Sequence, residues 1–466
     1  MGTVESITPQ ALAEHAVATS VADDCVVIVR DSTAANLRWA GNTLTTNGVM
    51  HGVSVTVVSF VRTTGGVATG SVSGSASTQA QVSALVDAAD RAARAASPAE
   101  DAQELVRDRA SDDWAEAPVP TDIHVYDDFA PALGEAFGRA GDGGRILYGF
   151  VDHRVTTTYL ASTTGLRLRH VQPTGHYGCT GKNSALTESA WVGGATRDFA
   201  GVDALALEAE LARRLAWGAR SVDLPAGRYD TILPPSAVAD LMIDAYWYAG
   251  ARVAHEGQSV YSRRGGGTRV GEQITAPGVH LRSDPAHPGL ECAPFVVAGS
   301  SGNESSVFDN GLPLTPTDWI RDGELVSLLQ TRHSAGLTGL PVTPAVDNLL
   351  LEVDGGQGSV EDLVAGTERG LLLTCLWYIR EVDPQTLLLT GLTRDGVYLV
   401  ENGEVTGSVN NFRFNESPVD LLRRFSHASA TVPSFSREWG DDYFSRTATP
   451  ALRVPDFNMS SASQAR

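Results

Sequence analysis

The sequence predicts an α+β protein in which a mixed α/β N-terminal region is followed by a β-rich C-terminal domain. Three observations carry this. Of the 466 residues, 42% are hydrophobic, which is enough to bury a large core and favours more than one domain. Gly is abundant at 47 and charged residues are sparse at 19%, a balance that suits many turns between strands. Helical and strand periodicities alternate in the N-terminal half, whereas beyond Gln273 short apolar runs punctuated by Gly and Pro leave few helix signals.

Taken in order, residues 10–19 place Leu12, Ala16 and Val17 at helical spacing, and residues 25–30 form an unbroken apolar run that reads as a buried strand. Residues 52–61 and 67–72 are two further strands, joined as a hairpin by Thr63-Thr64-Gly65-Gly66. Residues 79–96 form an amphipathic helix with Val82, Leu85, Val86, Ala89 and Ala93 on one face. The stretch 97–121 turns acidic and closes on Pro118 and Pro120; it reads as a partly helical connection. Residues 145–151 read as a strand, and 155–160 with 166–171 as a hairpin about Gly165. Residues 202–219 read as a helix with Leu205, Leu207, Leu211 and Leu215 on its apolar side.

A boundary is expected near Asp223, dividing an N-terminal α+β domain (1–223) from a β-rich C-terminal domain (224–466). After a short strand at 231–233, Pro234-Pro235-Ser236 opens a mostly buried helix carrying Ala237, Leu241, Ile243, Ala245 and Trp247. Residues 348–353, 371–379 and 396–400 read as strands, and Asn402-Gly403 sits at hairpin spacing. Glu361-Asp362 follows Gly358-Ser359, where carboxylates cap a helix N-terminus.

Charge and cysteine usage narrow the function. A net charge of −20 repels phosphate backbones and no basic stripe reverses it locally, so nucleic acid is excluded as a partner. Only one of the 35 basic residues is lysine, which points to a GC-rich bacterial genome. Cys25, Cys179, Cys292 and Cys375 are scattered without a CxxC pair, as expected of buried free thiols in a reducing compartment. The N-terminus carries no signal-peptide pattern and no run of 18 apolar residues occurs, so a cytoplasmic, non-membrane protein is expected.

Two stretches invite a chemical reading. In Arg252-Val253-Ala254-His255-Glu256-Gly257-Gln258-Ser259-Val260, a His-Glu pair resembles the start of a zinc-peptidase helix. There the imidazole binds the metal and the carboxylate activates its water. The second histidine such a site needs, about one turn on, is replaced by Ser259 or Val260. His280, His287 and Cys292 lie downstream but at no diagnostic spacing. If Glu256 is buried without a metal it needs another partner, and Arg252 is the nearest candidate. The second stretch, Gly175 to Ser184, resembles a phosphate-binding loop around Lys182. However, position 176 is His, Asn183 follows the lysine and no helix is signalled after it, so a Gly-rich loop is the better reading.

Several motifs together make the chain similar to the TldD/PmbA metallopeptidase family. They are Leu224 to Pro235, His255-Glu256-Gly257-Gln258-Ser259, Thr367-Glu368-Arg369-Gly370-Leu371, and Asp395-Gly396-Val397 through Glu401-Asn402-Gly403-Glu404. Asn36-Leu37-Arg38 and the strand at 52–61 extend the resemblance less specifically into the N-terminal half. The resemblance implies that TldD-type members bind zinc through a complete HExxxH and a later Cys. PmbA-type (TldE) members lack that set and join TldD in a heterodimer that cleaves unfolded or unstructured peptides. Here Val260 stands where the second His belongs, and Cys375 is the last cysteine. The resemblance therefore points to the PmbA/TldE type. It leaves His255 and Glu256 as a remnant, no cofactor in this chain, and zinc in a TldD-type partner. Two other readings are a self-sufficient metallopeptidase using irregular ligands such as His255 with His280 or Cys292, and a peptide-binding or scaffold protein without chemistry. Homodimerisation is compatible with all three.

Overall fold

In a computed structural model, residues 7–440 and 446–463 are described. The N-terminal half is one antiparallel sheet of β1 (Asp24–Ala40), β2 (Leu44–Thr63), β3 (Gly66–Ser75), β4 (Arg145–Ser162), β5 (Arg167–Asn183) and β6 (Ser189–Thr196), in the order β3-β2-β1-β4-β5-β6. Period-two alternation gives this sheet two unlike faces. On one, Val27 and Val29 lie under α1 (Pro9–Thr19) and α2 (Gln79–Ala95), while Ala35, Leu37 and Trp39 lie under α3 (Phe129–Asp142) and α4 (Ala204–Trp217). On the other, Val26, Ile28, Leu160 and Leu168 pack against Phe295, Val307 and Phe308 of the C-terminal half.

Among the described residues, that half contains a six-stranded sheet and a ten-stranded sheet. Helix α5 (Pro235–Trp247) carries apolar side chains on almost every side, and Leu241, Met242 and Ile243 are completely buried in the largest core. A helix apolar all round must be enclosed. Pro235 at its first turn costs no hydrogen bond, because that N–H has no intrahelical acceptor. No helix among the described residues is long and apolar enough to cross a membrane.

The α+β class is as the sequence predicts, and so is much of the local chemistry. Ser359 and Asp362 form a capping box on the helix Val360–Ala365. Asn402 and Gly403 both take positive φ, 51° and 83°, at a two-residue hairpin turn. All four cysteines are free and buried, and burial pushes their thiols up to about 12, so they are poor nucleophiles.

Other expectations are corrected. Residues 145–151 and 155–160 are not separate strands but parts of the 18-residue β4. The polar interruption Asp152-His153-Arg154 does not turn the chain, because His153 points inward and bonds Thr121 Oγ1 at 2.7 Å and the Arg197 carbonyl at 2.5 Å. The stretch 175–184 is not a loop. It lies mostly in β5, where a Cβ on Gly181 would already stand 3.3 Å from Leu211 of α4, so small residues let helix and sheet close up. The stretch 97–121 contains no helix; helical structure starts at the 3₁₀ turn Ile123–Tyr126 and continues in α3. Residues 371–379 are broken into the strands Arg369–Leu373 and Leu376–Asp383.

Candidate functional site

The His-Glu pair falls on α6 (Ala251–His255), which is only five residues long. Glu256 is its C-cap and Gly257 turns away at φ 83°, so the helix ends before a second turn could present another ligand. His255 is exposed, and its side chain makes no hydrogen bond with any described residue. Glu256 is not the buried carboxylate expected: its side chain is 42% exposed, though it does pair with Arg252 Nε at 3.0 Å. Arg252 is the hub here, because its two terminal nitrogens also grip Glu100 at 3.1 Å each. Ser259 and Val260 are buried, and Val260 packs in the main core. His280 instead faces Asp354 at 3.4 Å, and Cys292 is buried near Asp347. Among the described residues, no three His, Cys, Asp or Glu side chains converge where they could hold a metal ion. Replacing His255 by Ala together with Glu256 by Gln should therefore shift stability by no more than about 0.5 kcal/mol in a denaturant titration.

Two buried carboxyls lie one helix earlier. Asp240 and Asp244, one turn apart on α5, are 1% and 3% exposed. Asp240 Oδ1 accepts from Ser436 Oγ at 2.7 Å and from the Glu438 N–H at 3.1 Å, and Asp244 Oδ2 accepts from Trp439 Nε1 at 3.0 Å. Burial pushes both carboxyls up to about 7, against the lowering effect of these donors. The segment they hold, 436–439, also bonds the edge of the ten-stranded sheet, since Glu438 Oε1 accepts from the Ile379 N–H at 3.0 Å. Arg437 lies 3.7 Å over the Trp377 ring, with Trp191 of β6 5.1 Å away on the N-terminal sheet. This clamp joins α5, both halves and the C-terminal segment. Sequence reasoning missed it, although two aspartates four apart in an otherwise apolar helix were a usable signal.

Beside the clamp, a cleft of about 440 Å³ separates β5 and β6 from the C-terminal half. Tyr177, Gly193 and Gly194 form one wall, Phe435 and Arg446 the other, and Arg197 bridges to Glu291 at 2.5 Å. His176 stacks on Phe435 with centroids 5.9 Å apart. An open cleft with backbone of an edge strand, aromatic faces and paired charges suits an extended polar chain better than a compact apolar ligand. Lys182, on β5, lies 6.0 Å from the Tyr148 ring and forms no phosphate-binding loop.

Residues 226–461 match the PmbA/TldA metallopeptidase C-terminal domain. TldE from Thermococcus kodakarensis superposes with a TM-score of 0.73 at 17% identity, over 96% of this chain and 98% of that one. A proposed modulator of a DNA gyrase from Thermotoga maritima gives 0.72 at 17% identity, over 93% and 95%. A proposed modulator of DNA gyrase from Bacteroides thetaiotaomicron gives 0.73 at 12% identity, over 97% and 98%. At these identities the likeness is one of fold. No curated protein matches the sequence.

Proposed function

Since this chain belongs to the PmbA/TldD metallopeptidase family, we propose that it is a PmbA/TldE-type, non-catalytic subunit. On this reading it joins a TldD-type partner to form a cytoplasmic zinc metalloprotease that acts on unfolded or unstructured peptides. The carrying observation is the state of the motif. His255 and Glu256 sit exposed at the end of a five-residue helix, and Val260, where a second imidazole is needed, is buried in the core. The described donors do not fit a resident zinc, so the metal and the activated water are assigned to the partner. This chain would contribute one wall of the peptide chamber through its cleft.

Elemental analysis of the purified chain tests the metal assignment. Below about a tenth of an equivalent of zinc is expected, with no change on replacing His255 by Ala. Stoichiometric zinc that falls with that substitution would instead support a self-sufficient peptidase. Val260→His alone should not confer zinc binding, because the new imidazole would enter the core rather than face His255.

A further inference from the structure

The face of the N-terminal sheet that meets the C-terminal half changes character in register. The cross-strand row Ile28–Leu160–Leu168 is apolar and packs against Phe295 and Phe308. The next two rows on the same face are Arg30–Thr158–His170 and Ser32–Thr156–Gln172. Five of these six residues, Arg30, Thr156, Thr158, His170 and Gln172, floor a cavity of about 300 Å³ between the halves, roofed by residues 293, 295–298 and 304–306. The hydroxyls of Ser32 and Thr156 bond each other at 2.9 Å, and His170 bonds the Gln172 side chain at 3.1 Å. Burial lowers the pKa of His170, which keeps its imidazole neutral. Arg30 is thus the one charged side chain in the two rows. It is partly buried, yet it forms no hydrogen bond and no ion pair with any described residue.

A guanidinium with five donors, sheltered from bulk water and left without an acceptor, is an unmet demand for an anion. The other groups facing the cavity do not meet it. Asp309 is committed to Arg332 at 2.6 Å, while Glu304 is pushed up by burial towards its neutral form. Asp347 acts on Arg30 only through space, and is shared with His170 and Cys292. Among the described residues, Arg446, the second guanidinium on the cavity wall, reaches only neutral oxygens, the Asp347 carbonyl at 2.9 Å and Thr174 Oγ1 at 3.4 Å. Gln172 and Arg446 line both this cavity and the larger cleft beside β6, so the two spaces adjoin.

We propose that this cavity receives the C-terminal carboxylate of a peptide lying in the adjoining cleft, with Arg30 as its forked counter-ion and Arg446 beside it. The proposal rests on the peptide-chamber reading above and names the end of the peptide that this chain holds. A planar carboxylate matches the two parallel N–H donors of a guanidinium, whereas an amide end would bring an N–H group towards donors that cannot accept it.

The test is calorimetric titration of the full-length chain with tetra-alanine as the free acid, tetra-alanine amide, an amide-capped tetrapeptide containing one Asp, and inorganic phosphate. The acid should bind roughly tenfold or more tighter than either amide, and phosphate should not displace it. Arg30→Gln should bring the acid down to the level of the amide, while Arg30→Lys should retain part of the preference. Equal binding of acid and amide, or no binding of either, overturns the proposal without needing any variant. Displacement by phosphate at similar concentration makes this a general anion site and overturns the peptide assignment. If the chain shows no acid preference but still stimulates a TldD-type partner, the carboxylate site fails and the subunit reading stands. An Arg30-dependent acid preference without stimulation means the reverse.

Discussion

Replacing Asp309 by Ala should cost the fold about 3–5 kcal/mol, the largest effect expected of any single charge removal here. Asp309 is 2% exposed and takes both the Arg332 Nε, at 2.6 Å, and the Arg332 backbone N–H, at 3.1 Å. The same guanidinium donates to the Phe308 carbonyl at 2.5 Å and to the Glu104 carbonyl at 2.8 Å. Phe308 in turn packs edge-on against Phe60 of the N-terminal sheet, centroids 5.1 Å apart. One ion pair therefore locks the 97–121 connection, the turn Val307–Asp309 and the helix Arg332–Thr338 onto the sheet. Losing the carboxylate leaves the Arg332 Nε and backbone N–H without acceptors and the sheltered guanidinium without its counter-charge, which is the expensive way to break a buried pair. A denaturant titration checks this against the exposed pair Arg139–Glu135, whose loss should change stability by about 0.5 kcal/mol or less. A loss below about 1 kcal/mol at Asp309 would mean that the junction does not hold the halves together.

The second large effect is on pH. Asp240 and Asp244 have an ordinary value of 3.8 and are pushed up to about 7 by burial. Between about pH 4 and pH 7 the folded chain keeps protons that the unfolded chain has released, so stability falls as pH rises through that window. At about 1.4 kcal/mol per pKa unit, each ionised carboxyl costs at most about 4 kcal/mol at pH 8. Glu304 and Glu416, also raised by burial, slope the same way, whereas the arginine-paired Glu210 and Glu352 slope oppositely at lower pH. Asp240→Asn with Asp244→Asn keeps an acceptor oxygen for Ser436, the Glu438 N–H and Trp439 while removing the charge. Thermal melts from pH 5 to pH 8 should show the wild type losing stability relative to this variant as pH rises. A constant difference across the range would show that neither carboxyl titrates there.

What could be read from the sequence depended on how local the determining contacts were. The capping box at Ser359, the Asn402-Gly403 turn and the proline start of α5 are set by neighbours within a few residues, and all were legible. So was the β-rich character of the C-terminal half, which follows from its Gly-punctuated apolar runs. The continuity of β4 was hidden because the inward polar His153 is satisfied by Thr121 and by Arg197, 32 and 44 residues away in the chain. Helix α3 has Phe129, Leu133, Ala136 and Ala140 buried at helical spacing, a pattern that was present but diluted by Gly134 and Gly138. The clamp is the clearest case. Two aspartates in an apolar helix were a local signal of a buried polar site, but their donors lie almost 200 residues later, and nothing local identifies those partners.

The His-Glu dipeptide shows the opposite hazard, since it looked chemical by composition alone. Its geometry gives it a plain role: Arg252 ties Glu256 to Glu100, an acidic residue of the 97–121 connection. The features that suit a peptide-handling subunit lie elsewhere, in the cleft beside β6 and in the cavity floored by Arg30.

The most direct test is a mixing experiment with the purified chain and a TldD-type protein encoded in the same genome. An unstructured fluorogenic peptide should stay intact with this chain alone and be cleaved faster by the mixture than by the partner alone, with the gain saturating as the two chains pair. A mixture no faster than the partner alone, or cleavage by this chain unaided, would contradict the account.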